Sequence, residues 1–375
     1  MMEFFFEEVA WFKTFWLCCM TVLGACLGSF LNVLIYRLPR GVDLFTPARS
    51  FCPHCHSKIP FYRNIPIITW LLQRGKAACC GAPIAYHYVA VEAICALAFY
   101  LIWAFTPVQE ASFLCTFFLI LLTISWIDAE TMLIPIPLAI FGIIMGLVSC
   151  VMLPGKFVIN TPLSQLLEGL IGGVAGAAGL WIIAFLGKLA FGTRKVKFPE
   201  PTEWELREPK KDHEELSLVL KYADDEEEMI GWSELFFRKN EKLEIDAKVT
   251  SVNGTPILGS QAIIDHDHLN IDGKVYDIEK ELKTLTGVAE AMRIPREAMG
   301  MGDVWLLGML GCWLGWQGVL FSLFSSSVIA LVWASLNKIG MGKQLPYGPF
   351  LCLGALIYWL WGENILTWYT HLVIG

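Results

Sequence analysis

Long apolar runs separated by short polar loops dominate the chain, and about 20 apolar residues suffice for a helix to cross a membrane. Eight such runs stand out: Phe15–Tyr36, Tyr88–Phe105, Ser112–Ile127, Pro137–Leu153, Leu166–Phe191, Val304–Trp316, Val319–Leu336 and Gly348–Trp361. The sixth and seventh are separated only by Gln317-Gly318. Between the fifth and sixth the pattern changes to short alternating stretches. Lys248–Ile257 reads as strand, Asn-Gly turn, strand, and His268–Tyr276 repeats that logic around Asp272-Gly273. The acidic stretch before them, including Asp224 to Glu228, predicts a partly disordered lead-in to a small β module. The pattern predicts an all-α polytopic membrane protein of about eight transmembrane helices. It carries a small cytoplasmic Cys-rich loop and a β-containing cytoplasmic insert.

Composition agrees. Of 375 residues, 55% are apolar and mean hydropathy is +0.55, which excludes an ordinary soluble or nucleic-acid-binding domain. Thr193–Ala298 holds 16 Lys/Arg against 24 Asp/Glu, a net of −8; the remainder carries 12 against 11, a net of +1. The N-terminus has Glu3, Glu7 and Glu8 ahead of Lys13, so no cleaved signal peptide is expected. Basic residues in short loops mark the cytoplasmic side. The first loop has Arg37, Arg40, Arg49, Lys58, Arg63, Arg74 and Lys76 against Asp43 alone. Alternation then places both termini outside and the insert inside.

Two aspartates break the apolar pattern: Asp128 at the end of the third run and Asp303 at the start of the sixth, in Gly300-Met301-Gly302-Asp303. Ionisable groups are costly in a membrane and mark functional sites. Topology puts both on the cytoplasmic face, where a pair sharing a proton would do aspartic-protease chemistry. The structural alternative is that Asp128 caps a following helix and Asp303 sits at a favourable helix start. The glycines before Asp303 would let backbone approach its carboxylate.

Eight of the twelve cysteines lie in apolar runs and read as small hydrophobes. Cys52, Cys55, Cys79 and Cys80 share the first loop, where Cys52-Pro53-His54-Cys55 has the spacing of half a zinc site.

Several stretches resemble the type IV prepilin leader peptidases, in the family's order. They are Gly24–Arg40, Asn64–Lys76, Arg296–Asp303 and Leu345–Phe350. The resemblance implies a bifunctional enzyme of the bacterial cytoplasmic membrane. Such an enzyme cuts the basic leader from prepilins or pseudopilins after a glycine. It then methylates the new amino terminus with S-adenosylmethionine.

By that resemblance Asp128 and Asp303 are the catalytic pair and the Cys loop accompanies methylation. The chain divides as 1–36, 37–87 (Cys loop), 88–191, 192–295 (insert) and 296–375.

The departures from the family are specific. Relatives have Cys-x-x-Cys twice, and alignment on Cys80-Gly81 puts Ala77 where the third cysteine belongs. Either Cys79 substitutes, or His54 or His56 fills in, or the site is degraded. Trp305 stands where lysine is common, and Ile136 follows Pro135 where aspartate or asparagine is common. Glu92 matches a family Val-Glu, and Lys188 reads as a snorkelling side chain.

The competing readings are a proton-coupled transporter and a non-catalytic scaffold. A peptidase that has lost methylation is a third. The acidic insert either steers basic leaders or serves as a spacer or docking module for pilus or secretion assembly proteins.

Overall fold

A computed structural model describes residues 10–44, 51–52, 54–55, 57–153, 161–191, 193–207, 216–222, 227–236, 242–258, 261–265, 267–271, 273–278, 284–295, 300–338 and 345–374. His56, Arg296–Met299 and the N-terminal glutamates lie outside the described residues, as does the side chain of Lys188. The chain forms two compact units, Ile182–Gly300 and the remainder.

The larger unit is helical: α1 (Ala10–Arg37), α2 (Ile68–Leu72), α3 (Tyr86–Phe105), α4 (Val108–Thr131), α5 (Ile136–Met152), α6 (Pro162–Phe191, whose residues from Ile182 on belong to the smaller unit), α8 (Met301–Leu336) and α9 (Gly348–Ile374). Among the described residues, five helices are long and apolar enough to cross a membrane, and two shorter apolar ones are Ile136–Met152 and Gly348–Gly362.

The sixth and seventh apolar runs form one element, α8, and their division lies at Gly315 instead of Gln317-Gly318. Gly315 has φ 71° and ψ 178°, a left-handed value that glycine adopts without steric cost. Helix α9 serves as a ruler for what happens there. Asp128 pairs with Gly348 and acts electrostatically on Asp303. Phe117 meets both Trp313 and Trp359. The arm from residue 303 to 313 therefore runs parallel to α9. Beyond the break, Gly318 abuts Tyr358 while Ser326 bonds to Tyr347 at 2.7 Å, so the second arm runs antiparallel. Gly315 reverses the chain, and α8 is a helical hairpin.

The first arm is packed mostly against protein. Leu306 through Trp313 are all buried, so this arm is apolar on every side, as a central helix should be. Without a hydrophobic force between helices in lipid, close approach of small residues drives packing. A Cβ on Gly176 would stand 2.5 Å from the Leu307 carbonyl oxygen, and one on Gly172 would collide with that of Gly311. The same device joins α1 to α3 through Gly24-x-x-x-Gly28. A Cβ on Gly24 would lie 2.7 Å from the Cys95 carbonyl oxygen, and one on Gly28 would lie 2.8 Å from Glu92 Cα.

The smaller unit carries β1 (Thr193–Arg207), β2 (Ser217–Lys221), β3 (Glu227–Gly231), α7 (Trp232–Leu235), β4 (Leu243–Val252), β5 (Thr255–Leu258), β6 (Gln261–Ile264), β7 (His268–Ile271), β8 (Lys274–Asp277) and β9 (Leu285–Pro295). They form one antiparallel sheet in the order β3-β2-β1-β9-β4-β6-β7-β8, with β5 also on β4. Both predicted hairpins are present. Asn253 and Gly254 have φ 51° and 82°, the two positive values a tight hairpin turn needs, and Gly273 has φ 87°.

Part of the lead-in expected to be partly disordered forms strands. Glu227 and Glu228 lie in β3, and β1 to β3 pair into the same sheet, because Trp204, Leu218 and Leu220 bury in its core. Asp224, Asp225 and Glu226 lie outside the described residues.

Gly172→Ala should lower the thermal unfolding midpoint in detergent, since overpacking costs about 1–3 kcal/mol. Gly179→Ala, where an added Cβ meets nothing within 4 Å, should leave it unchanged or raise it. Equal effects of the two would remove the close-packing account.

Candidate functional site

Asp128 lies in the last turn of α4. The chain leaves that helix at Met132, left-handed at φ 54°, whose N–H bonds the Asp128 carbonyl at 2.8 Å. A carboxylate at a helix C-terminus opposes the dipole of its own helix. Here the side chain turns to another helix: Oδ2 accepts the Gly348 N–H at 2.8 Å, at the first residue of α9. Asp128 thus caps a helix 220 residues away and not the one that follows it. Its residue is 4% exposed.

Asp303 occupies the first turn of α8, where the helix dipole favours an anion. It lies within the electrostatic influence of Asp128, and the buried Cys352 feels both carboxylates. The structure therefore brings the two aspartates together at one end of the bundle.

The glycines do different work from that expected. A Cβ on Gly302 would stand 2.7 Å from Cβ of Ile134, in the segment just beyond Asp128, so Gly302 seats α8 against that segment. The glycine that admits backbone to a carboxylate is Gly348, where a Cβ would lie 2.8 Å from Asp128 Oδ2. Its signal was present in Pro346-Tyr347-Gly348-Pro349, which sequence reading took only as a helix start. Trp305 and Ile136 are 38% and 42% exposed and point away from the buried interior.

Two turns of the first loop gather the cysteines. Isolated bridges pair Phe51 with Lys58 and Lys76 with Pro83. Gly81, at φ 72°, donates its N–H to the Ala77 carbonyl at 2.7 Å, which bends the chain enough for the adjacent Cys79 and Cys80 to converge. The Sγ–Sγ separations are 3.7 Å for Cys52–Cys80, 3.4 Å for Cys55–Cys79 and 3.9 Å for Cys79–Cys80, and all four sulfurs lie within 4.8 Å of one another. Four thiolates about 2.3 Å from a zinc would have tetrahedral edges of about 3.8 Å. The donor set and its spacing fit that ion. Cys79 takes the place that Ala77 leaves open, and His54 is not in the cluster among the described residues. Hydrogen bonds from the Ser57 side chain and backbone, then from Cys79, lower the Cys55 thiol to about 6.

Glu92, on α3, is 9% exposed, and its Oε2 accepts the Ile67 N–H at 2.7 Å. Ile67 has φ 62° and ψ −54°, and Ile68 N–H bonds the Pro66 carbonyl at 2.5 Å, a γ-turn of the strained hand.

With this geometry in view, the comparisons decide the family. The sequence model of the bacterial peptidase A24 N-terminal domain matches residues 22–106, and that of the type IV leader peptidase family matches residues 284–335. The prepilin leader peptidase/N-methyltransferase of Klebsiella pneumoniae is 33% identical over 196 residues, covering 50% of this chain and 81% of that protein. The chain belongs to the type IV leader peptidase family. The equally named protein of Pectobacterium carotovorum is 26% identical over 372 residues, covering 92% of this chain and 93% of its own length. That of Dickeya chrysanthemi is 25% identical over 403 residues, covering 97% and 100%. No solved structure matches. Asp303 falls in the second matched segment of the leader peptidase family, Glu92 and the four cysteines in the first, and Asp128 between the two.

If Gly302 seats Asp303 against Ile134, Gly302→Ala should reduce peptidase turnover about tenfold or more, since a misplacement near 1 Å costs that much. Adding Ile134→Gly to the same chain should restore part of the loss. No restoration, with both variants inserted normally, would separate Gly302 from Ile134.

Proposed function

We propose that this chain removes the basic leader of prepilins or pseudopilins and then methylates the new amino terminus. The pairing of Asp128 with Asp303 across the ends of α4, α8 and α9 carries the first half of the reading. In the cleavage step the carboxylates share one proton. The ionised member takes a proton from water, which attacks the scissile carbonyl. The protonated member gives its proton to the carbonyl oxygen, forming a gem-diol. As the C–N bond breaks, the first member passes water's proton to the leaving amine and the diol returns a proton to the second. A mostly buried pair is suited to this, because the low dielectric around it strengthens each of these interactions.

The positive loop 37–87 supports an orientation with the aspartates facing the cytoplasm of a bacterial inner membrane, both termini outside and the insert inside. The hairpin of α8 supports eight passages, with Gly315 at the sixth turn-round. The insert, folded as a sheet of its own, serves as a module for pilus or secretion assembly proteins or as a steering surface for basic leaders.

Zinc held by Cys52, Cys55, Cys79 and Cys80 would supply a fixed tetrahedral clasp that closes the loop. The methyl donor is S-adenosylmethionine. A transporter reading gains nothing from four converging thiols.

Asp128→Asn and Asp303→Asn should each abolish cleavage of a prepilin peptide by the protein in detergent, while membrane insertion persists. Normal turnover by a well-inserted Asp303→Asn enzyme would end the assignment. For the loop, metal analysis should find about one zinc per chain, lost in Cys79→Ser and released as acid protonates the ligands. A Cys79→Ser chain that keeps full zinc would leave the fourth ligand elsewhere.

A further inference from the structure

A cavity of about 600 Å³ lies between α1, α3, the end of α4 and the Cys loop, on the side of α4 away from the aspartate pair. Glu130 lines it and follows Asp128 by two residues, so on a helix it projects about 200° round from the carboxylate. Peptide hydrolysis and this cavity thus occupy opposite faces of one helix end. That volume suits a ligand of drug or cofactor size.

Its buried polar groups are only partly used by the fold. Asn32 is 6% exposed; its Nδ2 donates to the Tyr88 carbonyl at 3.0 Å, and its Oδ1 has no partner. A buried acceptor left without a donor is costly, and most such groups are satisfied in native proteins. Glu92 lines the same cavity, one helical turn along α3 from Tyr88; Gly28 lets α1 press on Glu92 Cα, and the Ser29 side chain hydrogen-bonds its carboxylate. One oxygen of Glu92 is held by the strained γ-turn at Ile67, and strain of that kind persists where surroundings hold a binding group in place. An unpaired amide oxygen and a buried carboxylate together call for a ligand with hydrogen-bond donors and positive charge. Nearer solvent, the cavity is lined by the exposed Arg63, which suits a carboxylate, by Arg40 stacked over the Tyr36 ring, and by Trp70, whose flat face suits an aromatic base.

We propose that this cavity holds the methyl donor of the second reaction, with Glu92 and Asn32 as its buried acceptors. S-Adenosylmethionine carries an ammonium, a sulfonium, a carboxylate and an adenine, and each finds its complement there. The inference rests on the methyltransferase reading and assigns that reading a place.

The test uses the full-length protein in nanodiscs, with S-adenosylmethionine as the probe. Calorimetry should show one site on the wild type, and Glu92→Gln and Asn32→Ala should each weaken it by about tenfold or more, the loss of one good polar contact. Ultraviolet crosslinking of the bound wild type, mapped by mass, should label residues within 29–40 or 63–92. That mapping holds even where a variant fails to fold. A label elsewhere, or unchanged affinity in both folded variants, overturns the location while leaving methylation in place. A wild type that cleaves prepilin but binds no donor overturns the methyltransferase reading itself, and this inference with it. A cavity filled in the purified protein by copurifying phospholipid that the donor cannot displace also overturns it.

Discussion

A carboxylate at the end of one membrane helix accepting the first N–H of another is the contact on which the rest depends. Asp128 alone would be an expensive residue, at about 2.5–3.5 kcal/mol for a charged side chain within a spanning helix. It also sits at the wrong end of its own helix for the dipole. The Gly348 N–H at 2.8 Å offsets both penalties, since α9 presents its positive end to the same oxygen. The tie leaves Oδ1 for other chemistry and brings α9 to the start of α8, where Asp303 waits. The capping and catalytic readings of Asp128 are therefore one arrangement and do not compete.

Glycine makes that arrangement reachable. Gly348 has no Cβ to strike Asp128, and Gly302 none to strike Ile134. Gly315 turns the chain back, so Asp303 heads a short arm buried from Leu306 to Trp313. Along that arm α6 approaches backbone to backbone through Gly172 and Gly176. A second glycine seam, Gly24 and Gly28, sets α1 on α3 and with them Asn32 and Glu92 on one cavity. Two polar pairs are thus installed in an apolar bundle by the same means. Small residues remove the steric barrier, and a backbone N–H supplies the partner.

Much of this was legible in the sequence. The apolar runs gave the helices, because burying 20 apolar residues in lipid overrides local preference. Asn253-Gly254 and Asp272-Gly273 marked hairpins because the turn demands positive φ. The aspartates were visible as charges where charge is costly. What the sequence hid were contacts between distant segments. Nothing local in Gly348 says that its N–H meets Asp128, and the adjacent Cys79 and Cys80 looked ill-spaced until the turn at Gly81 was seen to fold them together. The acidic stretch before the hairpins read as partly disordered from its charge. Leu218 and Leu220 carry part of it into the sheet, and β3 follows because it pairs with β2.

Chemical labelling of the carboxylates would test the central claim most directly. A peptide-like diazo reagent esterifies a protonated acid in an aspartic pair, so inactivation should track one label per chain, mapped by mass to the peptide bearing Asp128 or Asp303. Complete inactivation with both of those peptides unlabelled would contradict the account.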